Sequence, residues 1–361
     1  MDCAPAGRLG ATFSLSGAPG IRHAPSIRTA IGVRPTPGIR NASGGDMASL
    51  LTPVKGKLFI DSTRKSTHAL DGAYASLLRG HSLDFDDLRA YEYGDQIRDI
   101  DWKATARLGS PVVRRSLATR MHTVLFVVDT GLSMAALAYD ERPKKELAIL
   151  TVGVLGLLAL RHGDDFCLVD GDSSGVRRRE IGRSEAALEH TLRRIDRAVD
   201  EASAPSDRDA LLSYVARTIA RRMIVVVLTD DAPVGAETER LLRRLRVQHD
   251  VLWITLRDAE PVLDPSRTGT GAGRRARAAA DVPAAPQRAR RDVASHWAIP
   301  EFLQGDAELA TELHAVDAAD AAHTETLLRR LEITHVALAA QDAAVGELLA
   351  MLDARSHVRH G

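Results

Sequence analysis

The sequence predicts an α/β fold: a mainly parallel sheet with helices on both faces, preceded by a small β-rich segment. Three observations carry this. The apolar, β-branched runs Thr123–Asp129 and Met223–Thr229 are unbroken, as in strands buried on both faces. Segments of helical periodicity separate such runs, and strands alternating with helices imply parallel pairing. Both runs lead into a carboxylate, Asp129 or Asp230, at the end of a strand where open α/β sheets bind ligands.

Taken in order, residues 1–46 are rich in Gly, Ala, Pro, Ser and Arg, with acids only at Asp2 and Asp46. They read as a disordered extension, too poor in apolar surface to order itself, with Met47 as a candidate start. Residues 47–120 form the β-rich platform, with a strand at Pro111–Arg114 expected beside the sheet. The core spans 121–258. Within it, Pro143–Leu160 reads as a helix with Pro in its first turn. Asp165–Val169 is a strand with a hairpin partner at Gly175–Ile181. Ser184–Val199 and Asp207–Arg222 are helical, and Ala236–Gln248 is a helix leading into the strand Asp250–Leu256. Residues 259–295 break the pattern as a flexible insertion. Its Gly269-Thr-Gly-Ala-Gly273 opens no helix and is followed by no Gly-Lys-Ser/Thr, so it is not read as a phosphate loop. Residues 296–361 close the sheet with a helix at Ala321–Leu331, a strand at Ile333–Ala339 and a helix at Asp342–Ala354.

Charge and composition narrow the function. Lys and Arg total 48, as do Asp and Glu, so the chain lacks the positive surplus with which nucleic-acid-coating proteins displace counterions. Nucleic acid is therefore not expected as a partner. Two cysteines, Cys3 and Cys167, are no disulfide framework and fit a reducing, cytoplasmic compartment. The longest apolar run, Leu147–Leu160, is 14 residues. A membrane-spanning helix needs about 20, so a buried core helix is expected and no integral membrane segment. No apolar secretory signal is visible at the N-terminus.

If the two aspartate-tipped strands are neighbours, Asp129, Ser133 and Asp230 converge. Carboxylate and hydroxyl oxygens suit Mg²⁺ or Mn²⁺; equally, Asp129 and Ser133 would cap the next helix and Asp230 would sit in a turn. Asp129-Thr-Gly-Leu-Ser133 resembles the Asp-x-Ser-x-Ser metal-ion-dependent adhesion site of von Willebrand factor A domains, and Leu228-Thr-Asp-Asp231 resembles their later Thr-Asp-Gly loop. The resemblance implies a metal held by Asp129, Ser133 and Asp230, completed by a partner's carboxylate. Gly131 replaces the first motif serine, and Ser184 is the candidate for the family's separate threonine ligand. A haloacid-dehalogenase-type phosphatase would need a second Asp where Gly131 stands.

The densest block lies upstream, from Leu83 to Arg115, where acids and arginines alternate with Tyr91, Ile100 and Trp102. A guanidinium binds a carboxylate bidentately and stacks on rings, so the block suits a hydrogen-bonded platform or docking surface better than a two-metal nuclease site or a nucleic-acid patch. Asp84, Phe85, Asp86, Leu88, Arg89, Tyr91, Gly94, Asp95, Arg98, Ile100, Asp101, Trp102, Ala106, Arg107, Pro111, Val113 and Arg114 match the signature of the von Willebrand A-related family catalogued as domain of unknown function 58. Where that family carries an acidic pair before the first sheet strand, this chain reads Leu117-Ala-Thr-Arg120. The resemblance implies a non-catalytic adaptor or co-chaperone. Its partners would be a MoxR-type AAA+ ATPase and a client protein, docked through Arg89, Tyr91, Asp95, Arg98, Asp101, Trp102 and Arg107 or through the strand-end site. The alternative from another class is a metal-dependent hydrolase using the strand-end aspartates.

Overall fold

The computed structural model describes residues 49–64, 87–92, 100–115, 122–260, 293 and 306–358. The first described element is a helix, α1 (Leu51–Arg64), that hydrophobic patterning does not mark. Its first-turn amides find their acceptor far away: Leu50 N and Leu51 N donate to the Glu189 carboxylate at 3.0 and 2.8 Å, and Ser49 Oγ joins them at 2.9 Å. The platform block follows as β1 (Asp87–Ala90), α2 (Trp102–Leu108) and β2 (Val112–Arg115). β1 and β2 pair antiparallel in a two-stranded sheet of their own, with Asp87 opposite Arg115. The segment after Pro111 was expected beside the central sheet. It pairs with β1 instead, in a separate two-stranded sheet.

That strand is β3 (Thr123–Asp129), buried along its whole length. The chain continues through α3 (Lys144–Arg161), β4 (Asp165–Asp172), β5 (Gly175–Arg178), α4 (Glu185–Asp200), α5 (Arg208–Thr218), β6 (Ile224–Asp230), α6 (Ala236–Gln248) and β7 (Asp250–Leu256). It closes with α7 (Ala307–Arg330), β8 (Thr334–Leu338) and α8 (Gln341–Val358). The strand order is β5-β4-β3-β6-β7-β8; β4, β3, β6, β7 and β8 run parallel and only β5 is antiparallel. This is the expected mainly parallel α/β sheet.

Strand side chains alternate between faces. Val124, Phe126 and Val128 of β3 pack with Leu147, Leu158, Leu188, Leu192 and Leu348, under α3, α4 and α8. Leu125 and Val127 face the other way, with Leu211, Leu212, Leu241, Leu245 and Trp253, under α5 and α6. With both faces covered, no strand needs a polar side, which explains the unbroken apolar runs. The 14-residue apolar run lies in α3, buried on nearly every side. Among the described residues no helix is long and apolar enough to cross a membrane.

α7 starts well before the expected Ala321. Asp306 caps it, accepting from Glu308 N and Leu309 N at 3.0 and 3.1 Å. Its first half is alanine-rich and mostly exposed, so helix propensity holds it with little apolar stripe to reveal it. The expected extension 1–46, and the insertion 259–295 apart from 259, 260 and 293, lie outside the described residues.

Candidate functional site

From β3 the chain winds to β4 and β5 on one side, then returns to place β6 on the other. The winding therefore reverses between β3 and β6, the point where α/β sheets open a crevice at their strand ends. The pairing runs from Val124 opposite Ile224 to Val128 opposite Leu228, which brings Asp129 and Asp230 to that crevice together.

Asp129 is 1% exposed. Its Oδ1 accepts from Gly131 N at 2.8 Å, and its buried Oδ2 accepts no hydrogen bond. Burial first, then the negative charge of Asp230, push its carboxyl up to about 7. The Gly131 N–H, the Ser206 hydroxyl and Lys144 pull more weakly the other way. Burial also works against Asp230, but there Lys144, Arg208, the Ser133 hydroxyl and the Ala232 N–H outweigh it and hold the carboxyl below its ordinary value. Two neighbouring carboxyls thus have opposite tendencies.

Ser133, in a 3-10 turn at Leu132–Ala135, places its Oγ 2.6 Å from Ser206 Oγ. The loop carrying Ser206 is clamped against β3 and β4: Leu132 N donates to Ala204 O at 3.0 Å and Ser173 N to Pro205 O at 2.9 Å. Gly131 is required by this closeness, since a Cβ there would lie 2.5 Å from Ser206 Cα and N. The space a side chain at Gly131 would fill is occupied by Ser206, from a distant loop, whose hydroxyl lies beside Ser133. Ser184, the sequence candidate, is not in the site; it caps α4, accepting from Ala187 N at 3.2 Å, the ordinary role of a serine before a helix.

Sequence reading also missed Lys144. It is the first residue of α3 and is fully buried, although a helix N-terminus repels a cation. Its Nζ is ion-paired with Asp258, just beyond β7. Burial disfavours the ammonium, but Asp258, Asp230 and Asp231 outweigh that and raise its pKa. Burial drives Asp258 well above the carboxylate range, opposed by Lys144 and aided by Asp231. Asp231 also accepts from Asp258 N at 3.2 Å. Lys144 carried no sequence signal beyond its place at a helix start, and only the topology sets it among acids from three strand ends.

A cavity of about 360 Å³ opens beside Asp230 and Asp231, lined also by Arg208, Trp253, Arg257 and His335. The Arg208 guanidinium lies 5.6 Å over the Trp253 ring and donates to Ala232 O and Pro233 O at 3.0 and 2.9 Å.

Of the platform residues, Asp101 caps α2, accepting from Lys103 N and Ala104 N at 3.0 Å each. Trp102 is 65% and Tyr91 37% exposed, and Arg107 is also exposed. Arg89 lies in β1 opposite Val113. Asp95 and Arg98 lie outside the described residues.

The donors at the strand ends, Asp129, Asp230, Ser133 and Ser206, suit a hard divalent cation in kind, and the unpartnered Asp129 Oδ2 would accept one. They do not suit it in charge, because the Lys144 ammonium already sits among the same acids. Among the described residues no three His, Cys, Asp or Glu side chains gather as a metal-binding group.

The profile of the family described as "Protein of unknown function DUF58" matches residues 87–266. Uncharacterized proteins of Mycobacterium bovis and Mycobacterium tuberculosis are 27% identical over 203 residues, 55% of this chain and 62% of theirs; the match thus spans under two thirds of those relatives. An aerotolerance-related membrane protein from Bacteroides fragilis aligns with a TM-score of 0.38 at 13% identity, covering 64% of this chain and 99% of its own. A von Willebrand factor type A protein from Catenulispora acidiphila aligns with a TM-score of 0.27 at 16% identity, covering 39% of this chain and 34% of its own.

Proposed function

Residues 87–266 place the chain in the DUF58 family, and from that premise we propose that it is a partner-recognition protein acting through its strand-end site. The observation that supports this reading is the convergence of Asp129, Ser133, Ser206 and Asp230 at the winding reversal, beside an open cavity. Buried polar groups held this close are costly unless they serve a ligand or a network. The cavity gives a partner's side chain access to Asp230 and Asp231. The exposed Trp102, Tyr91 and Arg107 offer a second contact, since aromatic and arginine side chains anchor interfaces.

The family resemblance supplies the partner class. On that resemblance the proposed role is that of a cytoplasmic, non-catalytic adaptor or co-chaperone for a MoxR-type AAA+ ATPase in the assembly or maturation of a client complex. Capture of that ATPase from the native lysate by the tagged full chain tests it. Recovery is expected with wild type and is expected to fall tenfold or more with Asp230→Asn or Trp102→Ala, each confirmed folded by circular dichroism. Absence of the ATPase, or equal recovery with both variants, would refute the proposal. A metal-dependent hydrolase is the second reading, favoured by the opposite tendencies of Asp129 and Asp230, a pattern shared with acid–base carboxylate pairs. Mn²⁺-dependent turnover of a phosphoester, abolished by Asp129→Asn, would support it.

A further inference from the structure

We infer that Lys144 is the resident cation of the strand-end site, so that the site holds its acids together without a divalent metal. The argument is one of geometry and charge. Asp129 and Asp230 end adjacent parallel strands, Asp231 follows directly, and Asp258 comes from just beyond β7. Crowding carboxyls from three strand ends into a buried crevice penalises their ionisation: burial holds Asp129 and Asp258 above the ordinary carboxylate range, while Asp230 stays below it. Lys144 is the fully buried cation among them, ion-paired with Asp258 and attracting Asp230 and Asp231. Arg208 adds attraction to Asp230 from the cavity side.

Two details make this arrangement built rather than incidental. A lysine at the first position of a helix faces the unfavourable end of its dipole, and burial removes its hydration, so only the surrounding acids hold it there. The backbone also fixes the lysine's position: Lys144 N donates to Ala136 O at 2.9 Å, tying the start of α3 to the turn that follows Ser133. The ammonium thus supplies, from within the chain, the positive charge that a bound ion supplies to a complete adhesion motif. A metal would have to share the same acids with a cation that cannot diffuse away. This inference concerns the charge of the site and stands whether or not a partner docks there.

The test is a Mn²⁺ titration of the full chain followed by electron paramagnetic resonance of the free ion, with thermal unfolding in Mg²⁺ and in EDTA. Wild type is expected to leave the free-ion signal undiminished up to millimolar metal and to melt at the same temperature in both buffers. Lys144→Met, which keeps the length and removes the charge, is expected to melt lower in EDTA, regain stability in Mg²⁺ and bind Mn²⁺ stoichiometrically. Lys144→Arg should behave as wild type. If Lys144→Met does not fold in either buffer, the wild-type titration decides alone. Stoichiometric Mn²⁺ binding by wild type that is lost in Asp129→Asn would overturn the inference. So would a folded Lys144→Met protein that binds no Mn²⁺.

Discussion

Replacing Asp129 by Asn should change the pH dependence of folding more than its midpoint at any one pH. Asp129 is 1% exposed, and its carboxyl is pushed up to about 7 from an ordinary 3.8. Between those values the folded protein keeps a proton that the unfolded chain releases. Stability therefore falls as pH rises through this window and levels off above it. At 1.36 kcal/mol per pH unit, about three units give a loss of roughly 4 kcal/mol, of which about 2–3 kcal/mol falls between pH 5 and pH 7. Asn has no proton to lose but can still accept from Gly131 N, as Asp129 Oδ1 does. Urea unfolding of both proteins at pH 5, 6, 7 and 8 isolates the effect, because other titrating groups largely cancel in the difference. The variant should gain on wild type by about 2–3 kcal/mol from pH 5 to pH 7 and then hold steady. A difference flat across the range would show that Asp129 is ionised throughout, and the account of its burial would be wrong.

Two further outcomes test the surrounding structure. Gly131→Ala should destabilise by about 1–3 kcal/mol in chemical denaturation, since its Cβ would meet the Ser206 backbone at 2.5 Å; a neutral result would mean that the 204–206 loop is not clamped as described. Arg355→Met, which removes the buried ion pair with Asp250, should destabilise by about 3–5 kcal/mol, and adding Asp250→Leu should recover part of that loss.

The strands were legible because the sheet is covered on both faces. Thr123–Asp129 and Asp250–Leu256 have the bounds that their apolar runs predict, and Ala236–Gln248 emerges from its helical period unchanged. The convergence of Asp129 and Asp230 was legible as a condition, that β3 and β6 be neighbours, which the strand order meets. The remainder of the site was not legible. Ser206 looks like any loop serine before an Asp cap, and Lys144 looks like a solvated charge beside Lys145. Their roles come from the return of the chain across β3, which no local pattern encodes. Ser184 misled for the complementary reason: a serine before a helical run has a local explanation, and the local explanation held.

The carboxylate that starts α1 comes from Glu189, 139 residues beyond Leu50. A helix with its own capping side chain closes its first turn locally; the first turn of α1 is closed by a residue far along the chain. Lys55 leans on Glu185, and Val54 fits over Gly153, where a Cβ would come within 2.9 Å of its methyl groups. All three footholds belong to elements made much later, so α1 should be among the last pieces to settle during refolding and the first to open in hydrogen exchange. The start of the described chain therefore reports whether the middle has finished folding.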